Sequence, residues 1–254
     1  MSSSPAPILI VVPCYNEEQR LPREPFLDFI KEHEGVDFLF VNDGSKDGTL
    51  AVLRGLEAQG GGRFQVLDLP RNGGKAEAVR AGMRHAARQG ARITGFWDAD
   101  LATPLDEIPG FLGILQERPG VHVVLGARIK LLGRAVERKL LRHYIGRVFA
   151  TVASNYLRLP VYDTQCGAKL FRCTRGFDRA LSRRFIARWL FDVELFVRLQ
   201  KIWRAEGCHT PEERMVEVPL LQWTDVKGSK VRPEDFAKAI GEFARIVNHY
   251  GWKP

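Results

Sequence analysis

Two periods alternate along the first half of the chain. Ile8-Leu9-Ile10-Val11-Val12 is an unbroken β-branched apolar run, the pattern of a parallel strand covered on both faces. Pro13 ends it, and Cys14-Tyr15-Asn16-Glu17-Glu18 follows as a polar loop. Residues 24–34 then place Phe26, Leu27, Phe29 and Ile30 at helical spacing, with Gly35 as the stop. The same succession continues: strand 36–41, helix 49–59 broken by Gly60-Gly61-Gly62, strand 64–69, helix 75–89, strand 92–97, helix 106–117 and strand 121–125. Strand and helix in strict alternation predict an α/β, Rossmann-like, mostly parallel sheet flanked by helices.

After Gly126 the alternation stops. Residues 128–159 interleave cations with apolar residues and predict a helix with a basic polar face, suited to lie on an anionic membrane or to pack on the sheet. A polar loop beginning at Val161 runs into a short strand ending near Phe171; a helix is expected from Trp189 to about 204 and a strand over 215–221. A glycine-containing loop, 223–230, precedes a last helix over 233–248, started by Pro233 and an acidic first turn. No repeat or linker divides the chain, so one domain is expected, with a first lobe to about residue 126 and a second from 127 to 254.

Composition adds a direction. The chain has 254 residues, ample for one core, and 38 Lys and Arg against 30 Asp and Glu, a net +8. That surplus favours an anionic partner: nucleotide, phospholipid or nucleic acid. The four cysteines, Cys14, Cys166, Cys173 and Cys208, form no Cys-x-x-Cys pair, which points to reduced thiols in a cytoplasmic protein rather than a zinc site. No uncharged apolar run approaches 18 residues, so neither a spanning segment nor a signal core is expected.

Candidate chemistry sits at strand ends, where open α/β sheets bind ligands. Strand 92–97 runs into Asp98-Ala99-Asp100 before Pro104. In an extended segment the two carboxylates would point the same way and repel unless a cation lay between them. A hard divalent ion carrying substrate phosphates would satisfy them, although an acidic turn fits the same letters. Asn72-Gly73-Gly74-Lys75 opens a helix and offers backbone N–H groups to an anion, with spacing unlike a Walker loop. Arg128, Arg138 and Arg142 follow the fifth strand, and guanidinium groups suit bidentate contact with a phosphate. No aromatic-basic platform or helix-turn-helix supports nucleic acid.

The blocks Val12-Pro13-Cys14-Tyr15-Asn16-Glu17-Glu18, Val41-Asn42-Asp43-Gly44-Ser45-Lys46-Asp47-Gly48-Thr49, Asn72-Gly73-Gly74-Lys75 and Asp98-Ala99-Asp100, in this order, resemble the inverting GT-A glycosyltransferases of family 2. The later blocks Asp163-Thr164-Gln165-Cys166-Gly167-Ala168-Lys169-Leu170-Phe171, Phe191-Asp192-Val193-Glu194 and Gly228-Ser229-Lys230 resemble the dolichyl-phosphate β-glucosyltransferase branch and its polyprenyl-phosphate relatives. The resemblance implies a GT-A fold and transfer of a hexose, glucose favoured, from a nucleotide sugar, UDP favoured, to a polyprenyl or dolichyl phosphate. It implies Mg²⁺ or Mn²⁺ and a peripheral place at the cytoplasmic face of a membrane. Pro13, Tyr15, Glu17 and Asp43 would cradle base and ribose, and Lys75 the base or a phosphate. Gln165, Lys169 and Lys230 would lie near sugar or diphosphate. Asp100 would bind the metal, and Asp98 the sugar or the metal shell. Ala102 stands where the related dolichyl-phosphate mannose synthases carry a metal-assisting glutamine, and the N-terminal membrane anchor usual in the glucosyltransferase branch is not expected here.

Asp192 is the candidate catalytic carboxylate, either as base for a hydroxyl acceptor or, for a phosphate acceptor, as a partner of a sugar hydroxyl. Transfer to a hydroxyl on a soluble glycan or protein, and non-catalytic binding of a nucleotide sugar, are the alternative readings.

Overall fold

The computed structural model describes residues 8–137, 140–224 and 233–252, with the side chains of 137, 140–148 and 233–237 excepted. The alternation read from the sequence is present: β1 (Ile8–Cys14), α1 (Arg23–Glu32), β2 (Val36–Asp43), α2 (Thr49–Gln59), β3 (Phe64–Leu69), α3 (Lys75–Arg88), β4 (Ile93–Trp97), α4 (Ile108–Glu117) and β5 (Val123–Ala127). The second lobe holds β6 (Ala135–Glu137), α5 (Leu140–Leu157), β7 (Ala168–Arg172), α6 (Arg175–Leu181), α7 (Phe191–Ala205), β8 (Met215–Pro219), β9 (Gln222–Thr224) and α8 (Pro233–Tyr250).

Seven strands form one sheet in the order β3-β2-β1-β4-β7-β5-β8. β1 pairs in parallel with both β2 and β4, and β5 with β8. β7 runs antiparallel between β4 and β5. The insertion matters for function. The start of β7 meets the end of β4, with Ala168 opposite Trp97 and Lys169 opposite Phe96. The segment before β7 therefore joins the same sheet edge as the carboxyl ends of the parallel strands.

Both faces of the sheet are covered, which is why β1 reads as a continuous apolar run. Leu9 and Val11 face a core shared with Val79, Met83, Phe191 and Phe196 from α3 and α7. Ile10 and Val12 face the opposite core, with Phe26, Phe38, Phe40 and Phe111. Period-2 alternation thus survives inside an all-apolar run. Among the described residues no helix is long and apolar enough to cross a membrane.

Three short elements went unread in the sequence: α6, and the two three-residue strands β6 and β9, which pair in parallel as a separate ribbon. Their lengths give too few positions for a period to show.

Candidate active site

The Asp98 region is a turn rather than an extended segment. β4 ends at Trp97, and Leu101 N–H donates to the Asp98 carbonyl at 3.1 Å. Leu101 takes φ +50°, a region that non-glycine residues seldom enter and that tends to persist where surroundings force it, often at functional sites. The surroundings here are explicit. Ala102 N–H donates to Asp100 Oδ1 at 3.1 Å, Ala102 carbonyl accepts from Thr224 of β9, and Trp97 Nε1 donates to the Thr103 carbonyl at 2.8 Å. Gly167 lies against the Asp98 carboxylate, where any side chain would collide with it. The two aspartates converge because the turn is fixed at both ends, not because strand alternation aims them.

Around this turn, opposite charges interleave. Lys75, the first residue of α3, places Nζ 2.5 Å from Asp98 Oδ1. Both side chains are more than a third exposed, so the pair adds little stability and remains open to exchange with ligand. Burial opposes the Lys75 charge, but Asp98, Asp192 and Asp100 together outweigh it and hold the lysine protonated. Behind this pair lies a second. Lys169 is fully buried, with Nζ 2.9 Å from Asp192 Oδ1 and a hydrogen bond to the Cys166 carbonyl. Asp192 Oδ1 has this ion pair but no well-directed hydrogen bond, and Gln165 Nε2 approaches Oδ2 only at 3.5 Å. Burial pushes the Asp192 carboxyl above its ordinary value against the pull of Lys169 and Lys75. Burial and the neighbouring Asp98 charge push Asp100 up as well. Raised carboxyls gathered at a strand-end edge mark a site shaped for something other than stability.

Asp43 ends β2, and its oxygens accept from Gly73 N–H at 2.7 Å and Gly74 N–H at 2.8 Å. The helix-opening N–H groups are therefore already met by an anion of the chain itself. Burial nevertheless lifts the Asp43 carboxyl above its ordinary value, against those two hydrogen bonds. The loops after β1 and β2 are tied together. Asn16 N–H meets Ser45 Oγ at 3.1 Å, Lys46 N–H meets Asn16 Oδ1 at 2.9 Å, and Glu17 N–H meets Thr49 Oγ1 at 2.7 Å. Pro13, Tyr15 and Glu17 are half-buried on this edge.

Other expected residues have different company. Arg128 forks onto Asp163, Nε to Oδ2 at 2.6 Å and Nη2 to Oδ1 at 2.8 Å, and its guanidinium lies 5.5 Å from the Trp223 ring. Glu217 of β8 accepts from Tyr162 and Asp163 N–H at 2.7 and 2.6 Å. Together they hold the loop that delivers Gln165 and Lys169. Arg138 and Lys230 lie outside the described residues, as does the side chain of Arg142. Cys14 and Cys166 are buried, free thiols.

Sequence reading missed Arg188 and Glu242, and quoted Glu194 in its block without a role; the two carboxylates hold the Arg188 segment. Glu194 Oε2 accepts from Ile186 and Ala187 N–H at 2.8 and 2.9 Å. Glu242 of α8 accepts from Arg188, Trp189 and Leu190 N–H at 3.2, 2.8 and 3.0 Å. The helix N-terminus that carries Asp192 is thereby fixed from behind. Arg188 stands three residues before Phe191 of the Phe191-Asp192-Val193-Glu194 block, a proximity that was the available signal; the partner Glu242 lies 54 residues away, and no local pattern could reveal it.

Asp98 and Asp100 present hard oxygen donors that suit Mg²⁺ or Mn²⁺. Among the described residues no group of three or more His, Cys, Asp or Glu converges on one point. An ion here would complete its shell with substrate phosphate and water, which fits a diphosphate-bound metal rather than a resident one.

Comparison with known proteins agrees. The family model Glycosyl transferase family 2 matches residues 9–174. A Drosophila melanogaster dolichyl-phosphate beta-glucosyltransferase is 34% identical over 239 residues, covering 88% of this chain and 69% of the relative. A Mus musculus protein of the same name is 32% identical over 238 residues, covering 88% and 69%. Among solved structures, Mycobacterium tuberculosis glucosyl-3-phosphoglycerate synthase superposes with TM-score 0.65 at 17% identity, covering 97% of this chain and 81% of that one. Its complex with Mn²⁺, UDP-glucose and phosphoglyceric acid superposes with TM-score 0.64 at 19% identity, covering 97% and 80%. At that identity the likeness establishes the GT-A fold alone; the family rests on the sequence matches. With its strand-end carboxylates, its single α/β domain and these matches, the chain is a glycosyltransferase and belongs to glycosyl transferase family 2.

Proposed function

We propose that this enzyme transfers a hexose, glucose by preference, from a UDP-sugar to a polyprenyl or dolichyl phosphate in one inverting displacement, with Mg²⁺ or Mn²⁺ on the diphosphate. The observation that carries this reading is the meeting of the Asp98–Asp100 turn with the buried Lys169–Asp192 pair at one sheet edge. The names of the relatives supply the substrate classes.

In this reading Asp43, Pro13 and Tyr15 bind base and ribose, and Asp98 and Asp100 face the diphosphate. A bound divalent ion supplies neutralisation of the charge that develops on the leaving diphosphate. An oxygen of the acceptor phosphate forms its bond to the anomeric carbon as the bond to the diphosphate oxygen breaks, and that electron pair leaves with UDP. A phosphate monoester has a second pKa of about 6 and needs no base at neutral pH. Asp192, held by Lys169, then accepts from a sugar hydroxyl and fixes the ring for attack.

Leu131 and Leu132, 47% and 103% exposed, support the lipid acceptor. They stand at a turn between Lys130 and Arg134, shortly before Ala135, whose N–H donates to the carbonyl of Leu221, itself 54% exposed. Apolar residues beside cations suit an anionic membrane surface. In this reading the enzyme works at the cytoplasmic face of the membrane.

A second reading has one observation in its favour. Burial raises the Asp192 carboxyl above its ordinary value, the direction that favours a general base for a hydroxyl acceptor. A matrix of UDP-glucose, UDP-galactose and GDP-mannose, each with a short polyprenyl phosphate or a sugar hydroxyl acceptor, decides between them. Organic-extractable sugar from UDP-glucose alone supports the first reading; transfer only to the hydroxyl acceptor overturns it. Asp192→Asn should cost far more with a hydroxyl than with a phosphate.

A further inference from the structure

Arg188 is exposed, on the segment between α6 and α7, yet its backbone is tied down by side chains rather than left to solvent. The N–H groups of five consecutive residues, Ile186 to Leu190, all go to the carboxylates of Glu194 and Glu242. From that fixed backbone the guanidinium reaches across to the start of α3. Nη2 donates to the Gly73 carbonyl in a long, 3.3 Å hydrogen bond. Nη2 and Nε flank Gly74, whose φ of +86° and lack of a side chain leave room for the guanidinium. The same two glycines hold the Asp43 carboxylate on their N–H groups. A donor fork and an acceptor carboxylate thus share one backbone turn, brought together from residues 145 positions apart in sequence.

This pairing is ill suited to a phosphate, because Asp43 partly cancels the Arg188 charge, an influence visible in the downward pull that Arg188 exerts on the Asp43 carboxyl. It suits a neutral polar edge with a donor beside an acceptor. The imide of uracil is such an edge, an N–H flanked by two carbonyl oxygens. Cytosine presents the reverse, a ring-nitrogen acceptor beside an amino donor. Resting on the UDP-sugar reading above, we propose that Arg188 is a base-recognition residue. Its guanidinium donates to a carbonyl oxygen of the base whose imide N–H is accepted by Asp43, and together they select uracil over cytosine. The strapped backbone lowers the ordering cost of that contact.

The test is equilibrium binding of UDP and CDP, each at the same Mn²⁺ concentration, to the full chain and to Arg188→Ala and Arg188→Lys. Loss of one charge-assisted hydrogen bond predicts that Arg188→Ala weakens UDP about tenfold. It should leave CDP within about twofold, so that the preference for UDP falls severalfold, Asp43 holding the remainder. Arg188→Lys, which keeps the charge and loses the fork, should recover only part of it. Equal weakening of UDP and CDP would assign Arg188 to the diphosphate and overturn the proposal, as would no change in either. Failure of the unmodified chain to bind UDP at all would instead remove the functional reading, and this proposal with it. The side chain is exposed, so an unchanged thermal midpoint checks that each variant is folded.

Discussion

The β1–β4 half and the α6–α8 region use carboxylates for opposite ends. In the first, Asp43, Asp98 and Asp100 stand at or just beyond strand ends, with backbone or lysine partners on one side and, in the proposed reading, the ligand on the other. In the second, Glu194 and Glu242 point inward and hold backbone. Glu194 is fully buried, and besides two N–H groups it takes Arg198 at 2.6 Å and the Tyr250 hydroxyl at 2.8 Å. Arg198 in turn donates to the carbonyls of Ala180, Arg183 and Arg184. The reason is geometric. The strand ends and the turn after β4 are held by the ladder and by hydrogen bonds from the Thr224 N–H and the Trp97 indole, so their carboxylates carry little of that task. Residues 182–190 have no ladder, and buried backbone without one must find partners among side chains. Asp192 belongs to both regions: α7 carries it, the strap fixes the helix start, and Lys169 of β7 pairs with it.

The largest effect that would break this contrast is on stability. Glu194→Ala takes the carboxylate from the half-buried Arg198 and strands two N–H groups, and should cost about 3 kcal/mol. At a few degrees per kcal/mol, that lowers the thermal midpoint by on the order of 10 °C. Asp43→Ala should cost only about 1 kcal/mol, as for a lost helix cap, while UDP binding suffers most. Comparable losses of midpoint in the two variants would erase the distinction between them.

Asp100→Asn comes next and sharpens the ligand side. UDP affinity should fall about tenfold or more in Mn²⁺ and lose its response to chelator. The same variant should not lose stability at neutral pH. A carboxyl raised in the folded state holds its proton more tightly there than in the unfolded chain. Its stability contribution is present below the ordinary value of 3.8 and is lost as pH rises through the raised one. The asparagine removes that loss, so its midpoint at pH 7 should equal or exceed that of the unaltered chain. A clear fall in midpoint would place Asp100 among the structural carboxylates.

Glu242→Gln probes the strap where it meets the site. Amide exchange at Arg188, Trp189 and Leu190 should quicken about tenfold, equivalent to roughly 1.4 kcal/mol of local opening. kcat should fall more than KM rises, because Asp192 loses its fixed position. Unaltered exchange would mean that α8 only covers the core. The smallest effect belongs to the Leu131–Leu132 turn proposed to meet the membrane. Leu132→Asp should weaken binding to phosphatidylserine vesicles severalfold by adding charge where an apolar contact stood.

The sequence made the first lobe legible because each element there follows a local rule: apolar strand, glycine or proline stop, amphipathic helix. The Asp98-Ala99-Asp100 pair was visible for the same reason, at the end of an apolar run, although its convergence comes from a turn held by Ala102, Thr103 and Gly167. What could not be read was pairing at distance. Lys75 shows as a helix-opening lysine, with nothing to say that Asp98 holds it. Arg128 shows as a free cation, while Asp163 grips it from 35 residues away. β7 shows as a short strand, and its antiparallel place between β4 and β5 is set by the tertiary sheet alone.

The central claim is a single displacement at the edge where the Asp98–Asp100 turn meets the Lys169–Asp192 pair, with the acceptor as nucleophile and the protein carboxylates only binding and orienting. The configuration of the product tests it most directly. With α-linked UDP-glucose labelled at the anomeric carbon, NMR of the isolated polyprenyl-phosphate product should show the β anomer, one inversion. An α-linked product would require two displacements or front-face attack, and would contradict the account.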